Sequence, residues 1–301
     1  MSSPSLLAFG EILWDVVGDT EHIGGAPFNL AAHATRCGLS ARIYSRVGND
    51  PRGQRARAEL DRLQVDHGWV QHDPDRPTGY VDVRLDADGQ PTYHFPDDTA
   101  WDHIEPPDDR AVATLRAQGF GALCFGTLAQ RSPRSRKTLA ALRDALPDVP
   151  VFYDVNLRAP FTPLDTVRDS LPGVTVIKVN EDEADILGRG WYGQALPVGK
   201  FYERLVADHG IRVLLLTRGS LGCAVYCHHG HFEIPGLQVK VASAVGAGDA
   251  FSAAFLASSL LGYPPEEAAR RANRLGAWVA SRPETIPDYP RDLDALLLPA
   301  A

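Results

Sequence analysis

The rhythm of the chain after residue 100 restricts its fold more than any other feature. Continuous apolar runs at 122–125, 151–155, 174–179 and 213–217 alternate with amphipathic stretches at 111–118, 133–145, 181–187 and 201–209. Runs that are apolar at every position suit strands buried on both faces, and the helices between them supply the cover. The pattern predicts an α/β fold with a doubly covered, mostly parallel central sheet. Residues 223–226 and 231–234 read as a hairpin, and 237–241 as a further strand. Helices are expected at 250–261 and 265–281. In the last of these, Ala268, Ala272, Leu275 and Val279 form the core stripe and Arg270, Arg271 and Arg274 face water.

The first half keeps this plan with one interruption. Residues 6–10 read as a buried strand that 11–17 continue with more polar character. A turn at 24–29 opens a helix to about residue 37, a strand follows at 42–47, and a charged helix at 53–63. Residues 80–85 then alternate strictly, turn at 86–89 and return through 92–95. Such a half-exposed hairpin inside a buried pattern suggests a lid or a small second sheet.

Length and charge narrow the function. With 301 residues, a net charge of −8 and 23% charged residues, the chain reads as one globular domain and not as a nucleic-acid binder. The N-terminus lacks a basic region and an export core, no apolar run reaches membrane length, and four cysteines make no disulfide framework. A cytoplasmic protein is expected.

The chemistry concentrates at 242–251, where Gly246-Ala247-Gly248-Asp249 forms a turn ahead of a small-residue helix. Amides at a bare helix start attract anions. A carboxylate beside them is poorly suited to holding phosphate at rest. It suits removal of a proton from a hydroxyl attacking phosphorus, although a free Asp, with a pKa of about 3.9, is a weak base. The bland alternative makes Asp249 a helix cap. Polar clusters at the ends of other strands include Asp154 to Arg158, Lys178 with Asn180 and Glu183, and Thr217-Arg218-Gly219 to Gly222. Ligands gather at strand carboxyl ends in such sheets. Asn180 and Glu183 are either a capping box or an amide and carboxylate that organise the water around Mg²⁺. Cys223, Cys227, His228, His229 and His231 have metal-ligand types, but a hairpin points alternate positions to opposite faces. The basic run from Arg131 to Lys137 reads as a solvated loop, with reach to an anionic ligand as the alternative. The chain has neither a Walker A pattern nor a Gly-x-Gly-x-x-Gly fingerprint.

Taken together, these motifs resemble the ribokinase-like (PfkB) carbohydrate kinases over essentially the whole length, and most of all the bacterial fructokinases. Gly24 to Ala34 with Val47-Gly48-Asn49-Asp50 is similar to the family's N-terminal signature, and Gly246 to Phe251 to its C-terminal one. Phe9 to Asp15 and Ala100-Trp101-Asp102 are similar to the fructokinase-like branch. The resemblance implies a ribokinase-like domain over 1–301 with lid segments at about 12–26 and 77–97, and Mg²⁺ with ATP. It implies Asp249 as base and the amides of Gly246, Ala247 and Gly248 as an anion hole. Asp15, Gly25 and Asn29 would hold the sugar, with Phe95, Asp97 and Arg158 around them. Lys178, Asn180, Thr217, Gly219, Gly222 and Asn273 would hold nucleotide, and Asn180 with Glu183 the metal. A homodimer through the lid is also implied.

One departure bears on cofactors. The family usually has an acidic residue where Ser243 stands and a glycine where Glu284 stands, both near a monovalent-cation position. K⁺ activation is therefore expected to be weak or absent, with Arg282 or a water supplying the charge. The acceptor is expected to be a primary hydroxyl of a sugar, D-fructose first. Ribose, a 2-keto-3-deoxy sugar acid and a nucleoside stand as alternatives, as does a non-catalytic sugar-binding relative.

Overall fold

The computed structural model describes residues 3–85 and 91–297. In chain order the first half contains β1 (Ser5–Phe9), β2 (Leu13–Val17), β3 (Thr20–Gly24), α1 (Ala26–Arg36), β4 (Ser40–Gly48), α2 (Pro51–Arg62), β5 (Val70–Asp73), β6 (Gly79–Leu85), β7 (Pro91–His94) and α3 (Asp109–Ala117). There follow β8 (Ala122–Gly126), α4 (Pro133–Ala145), β9 (Val151–Asp154), α5 (Leu164–Ser170), β10 (Val176–Asn180), α6 (Glu181–Tyr192) and α7 (Val198–His209). The chain ends through β11 (Val213–Thr217), β12 (Gly222–Cys227), β13 (Gly230–Pro235), α8 (Ala247–Leu260), α9 (Pro265–Ala280) and α10 (Leu293–Leu297).

Among the described residues the strands form two sheets. The large one runs β13-β12-β11-β10-β9-β8-β1-β4-β5. It is parallel from β11 to β5, with β12 and β13 added as an antiparallel edge. Successive residues of β1 enter different cores, which is what a continuous apolar strand requires. Leu6 and Ala8 pack with α1, α8 and α9, and Leu7 and Phe9 pack with α3, α4 and α7. The alanines of α8 let it approach its neighbours closely: a Cβ on Gly276 of α9 would lie 3.1 Å from the Ala247 carbonyl oxygen.

The small sheet, β3-β2-β6-β7, accounts for the interruption in the pattern. It pairs β2 and β6 in parallel and carries an antiparallel strand on each side. Residues 11–17 therefore do not prolong β1. The chain breaks at Gly10–Ile12 and changes sheet. The expected hairpin tip at 86–89 lies outside the described residues. Two contacts root this sheet on the large one. Asp50 accepts from Thr78 N–H and Oγ1 at 2.7 Å each, and Trp101 sits so close to Gly79 that a Cβ there would lie 2.3 Å from its Nε1.

Three further sequence expectations fail. Residues 237–241 form no strand. Their alternating valines are exposed, and the amides of Ala242 and Ser243 instead donate to the Ala280 carbonyl at the end of α9. Arg271 does not face water: it is 3% exposed, bonds to Ser258 Oγ at 3.1 Å and lies over the Tyr263 ring. Arg131 is not part of a solvated loop. Its guanidinium grips Asp102 at 2.8 and 2.7 Å, donates to the Pro96 carbonyl and stacks 4.0 Å over Trp101. Planar, multidentate pairing is what lets an arginine be buried. No helix among the described residues is long and apolar enough to cross a membrane.

Candidate active site

Sheet register alone brings the polar clusters together. Lys178 on β10 pairs across to Asp154 at the end of β9, and Asn180 pairs across to Thr217 at the end of β11. Lys178 Nζ and Asp154 Oδ2 make a buried ion pair of 2.8 Å. Burial works against the lysine's charge, but Asp154 outweighs it and raises the pKa, so Lys178 is an ammonium. Ser252 on α8 bridges this pair to the glycine turn: its Oγ lies 2.9 Å from Asp154 Oδ2 and 3.0 Å from the Gly248 carbonyl. A Cβ on Gly248 would lie 3.4 Å from Lys178 Nζ, so the ammonium flanks the turn.

Helix α8 begins in an unusual way. Gly246 is its N-cap at φ 80°, and no side chain caps it. A side chain there would be strained, and its Cβ would meet Thr285 at 2.6 Å. The Ala247 N–H makes only a long 3.4 Å contact with the Ala244 carbonyl, and among the described residues the N–H groups of Gly246 and Gly248 meet no acceptor. Asp249 is in the first turn and does not cap the helix. Its Oδ2 accepts from Asn29 Nδ2 at 2.8 Å, across from α1. Enclosure raises its pKa to about 7. Asp154 adds to the rise, while Asn29, Lys178 and Arg158 oppose it. At neutral pH Asp249 is a much better base than a free aspartate.

The other sequence-predicted residues divide into those the fold gathers and those it employs elsewhere. Gly25, at φ 105°, opens α1 against the Glu11 backbone, and Pro27 fits the helix's first turn. Asp15, on β2, faces the same region: burial raises its pKa, while His22 and Arg158 oppose the rise. Arg158 is exposed on the loop after β9 and bonds to its own neighbour's Leu157 carbonyl at 2.9 Å. Phe95 is buried against Phe161, 5.0 Å between centroids, which closes this side. Asp97 is exposed, and among the described residues nothing ties it to the cluster. Thr217 and Gly219 stand at the β11 end. Gly222 is needed because Ile234 O would lie 2.1 Å from a Cβ there. Asn273 Nδ2 donates to the Pro235 carbonyl at 2.9 Å.

Asn180 and Glu183 form the capping box at the start of α6. Asn180 Oδ1 accepts from Glu183 N–H at 2.8 Å, and Glu183 Oε2 accepts from Asn180 N–H at 2.9 Å. The other glutamate oxygen accepts from Leu157 N–H at 2.8 Å, fixing the loop that carries Arg158. Burial raises the Glu183 pKa. No group of three or more acidic, histidine or cysteine side chains among the described residues could hold a metal by itself. This donor set fits an Mg²⁺ carried on the triphosphate and reached through water, and does not fit an all-protein cage.

Sequence reasoning passed over Glu11, which is 3% exposed beside the start of α1. Its signal was an acidic residue directly after a run of buried apolar ones.

Known proteins resemble the chain over nearly its whole length. The model of the pfkB family carbohydrate kinases matches residues 4–292. "Probable fructokinase-5" of Arabidopsis thaliana is 26% identical over 98% of this chain and 97% of its own. "Fructokinase-1" of Oryza sativa subsp. japonica is 28% identical, with 98% of each covered. Among solved structures, a fructokinase with bound ATP from Xylella fastidiosa superposes with a TM-score of 0.85 at 19% identity, covering 97% of both chains. A fructokinase from Vibrio cholerae O395 bound to fructose, ADP and calcium superposes at 0.83 with 24% identity, covering 99% of this chain and 100% of the other. A glycine-lined helix start with a carboxylate beside it, on a sheet of this topology, and a family model spanning nearly the full length converge: the chain belongs to the pfkB family of carbohydrate kinases, an enzyme family with a ribokinase-like fold.

Proposed function

We propose that this kinase transfers the terminal phosphoryl group of ATP to a primary hydroxyl of a neutral monosaccharide, D-fructose before others. The observation that carries this reading is Asp249, held by Asn29 through Oδ2 next to the Gly246 and Gly248 amides, which no acceptor among the described residues engages. Oδ1 takes the proton of the sugar hydroxyl as its oxygen bonds to phosphorus. The bond from phosphorus to the bridging oxygen breaks, and ADP leaves. The N–H groups of Gly246 and Gly248, with the ammonium of Lys178, receive the negative charge spread over the moving phosphoryl oxygens. Mg²⁺ supplies charge neutralisation on the phosphates, and Asn180 and Glu183 are the residues that would orient its waters. The small sheet acts as a lid that excludes water, the competing acceptor.

Carboxylates outnumber cations on the acceptor side. Glu11, Asp15 and Asp249 face Arg158. Such a pocket favours the donor hydroxyls of a polyol over a sugar acid. The fructokinase names of the relatives agree. Ser243 leaves the monovalent-cation position without its usual acid, Glu284 is exposed where a glycine is usual, and Arg282 stacks on Trp278 at 5.0 Å. We therefore infer weak dependence on K⁺.

ADP release measured with fructose, ribose, 2-keto-3-deoxygluconate, tagatose and adenosine tests the substrate. Fructose is expected to give the highest kcat/KM. A sugar acid in first place overturns the charge argument. Asp249→Ala is expected to lower kcat by about 10³-fold or more, and unchanged turnover rejects the mechanism.

A further inference from the structure

Glu11 lies in the connection Gly10–Ile12 that carries the chain from β1 in the large sheet to β2 in the small one. At 3% exposure it is more deeply buried than Asp154 or Glu183, each 6% exposed. Its Oε1 accepts from the N–H of Ala26, the first residue of α1, at 3.3 Å. Its Oε2 is buried without a partner among the described residues, and so is Oδ1 of Asn29 one turn along the same helix. Gly25 locks the arrangement: a Cβ there would lie 2.4 Å from the Glu11 carbonyl oxygen, so only glycine lets α1 start against this acid. The carboxyl therefore sits at the root of the helix whose Asn29 holds Asp249.

A buried carboxyl with one free oxygen is costly as a charge and is not explained by packing. The groups that face it are Asp249 from α8, Arg158 from the loop after β9, and the backbone N–H groups of Ala26 and of Glu11 itself. Besides Glu11, those facing Asp249 are Asp154 from β9, Lys178 from β10, Arg158 and Asn29. We propose that Glu11 is a positioning residue for phosphoryl transfer: it anchors α1 so that Asn29 meets Asp249, and its charge sets the pH at which Asp249 becomes a base. This rests on the reading of Asp249 as that base. Burial pushes the Glu11 carboxyl up to about 7, the same range as Asp249. Two facing carboxyls that titrate together lose protons in steps belonging to the pair. An ionised Glu11 strengthens Asp249 as a base, and a protonated one weakens it.

The test is the pH dependence of kcat and of KM for fructose, from pH 5.5 to 9, in the wild-type enzyme, Glu11→Gln, Glu11→Ala and Asp249→Asn. Glutamine keeps an acceptor for Ala26 and removes the charge. Its acid limb is expected to move down by about half a pH unit or more and to become a single protonation, with KM within about threefold of wild type. Glu11→Ala, which also loses the anchor, is expected to lower kcat further; thermal unfolding identifies any global loss of fold. An unmoved acid limb in Glu11→Gln, with Asp249→Asn inactive, overturns the role of Glu11 and leaves the base assignment standing. Wild-type turnover in Asp249→Asn removes the base assignment, and the inference with it. A folded Glu11→Gln enzyme without turnover also overturns it, because tuning is then the wrong role.

Discussion

Helices α6 and α8 start at the same edge of the large sheet, and they start in opposite ways. At α6 the acid and the amide serve the helix: Asn180 and Glu183 close a reciprocal capping box and engage each other's backbone N–H groups. At α8 the cap is a glycine without a side chain, and the acid of the first turn is held by another helix. The first arrangement is what folding favours. The second leaves donors without an acceptor among the described residues and a carboxylate raised to about 7, which folding alone would not select. Two helix starts with similar residue types thus separate by whether their polar groups are engaged within the helix.

The contrast can be broken by mutation. Among changes at the two N-cap positions, the largest expected effect is at Gly246. Gly246→Ala puts a methyl at φ 80° and against Thr285, so the donors shift and kcat falls by about 10²–10³-fold. A variant within twofold of wild type would mean that these amides do not touch the phosphoryl group. Next come opposite changes in stability. Asp249 binds a proton more tightly folded than unfolded, so its ionisation costs stability as pH rises from about 4 toward 7. Asp249→Asn is therefore expected to gain roughly 1–3 kcal/mol at pH 8, less at pH 5, while losing turnover. Asn180→Ala should instead lose about 1 kcal/mol at both pH values. Urea titrations at pH 5 and 8 read both, and a loss of stability in Asp249→Asn at pH 8 would erase the distinction. The smallest effect is that of K⁺: replacing tetramethylammonium with K⁺ should change kcat by less than about twofold. A tenfold stimulation would require a cation site despite Ser243.

Much of the fold was legible because buried parallel strands leave uninterrupted apolar runs, as at β8, β9 and β11. Where reading failed, it did so for local reasons. Residues 237–241 alternate like a strand but pair with no strand among the described residues, and α9 takes the amides that follow. Arg131 and Arg271 looked like surface charges because sequence cannot reveal a partner such as Asp102 or Ser258. β2 was read as strand but as a continuation of β1, and β3, β5 and α5 were too short or too polar to register. The residues around Asp249 were legible as motifs, and the fold gathers most of them. Glu11 was not, since its environment comes from Gly25 and the start of a helix that follows it by fifteen residues.

The passage from one sheet to the other within Gly10–Ile12 has a thermodynamic consequence. If acceptor binding draws the small sheet inward, the peptide bearing Glu11 moves with it, and the proton affinity of that carboxyl changes. Reciprocity then makes acceptor affinity depend on pH, and makes binding release or absorb a fraction of a proton. Calorimetry in buffers of unequal ionisation enthalpy would register that fraction as a difference in heat, before any nucleotide is present.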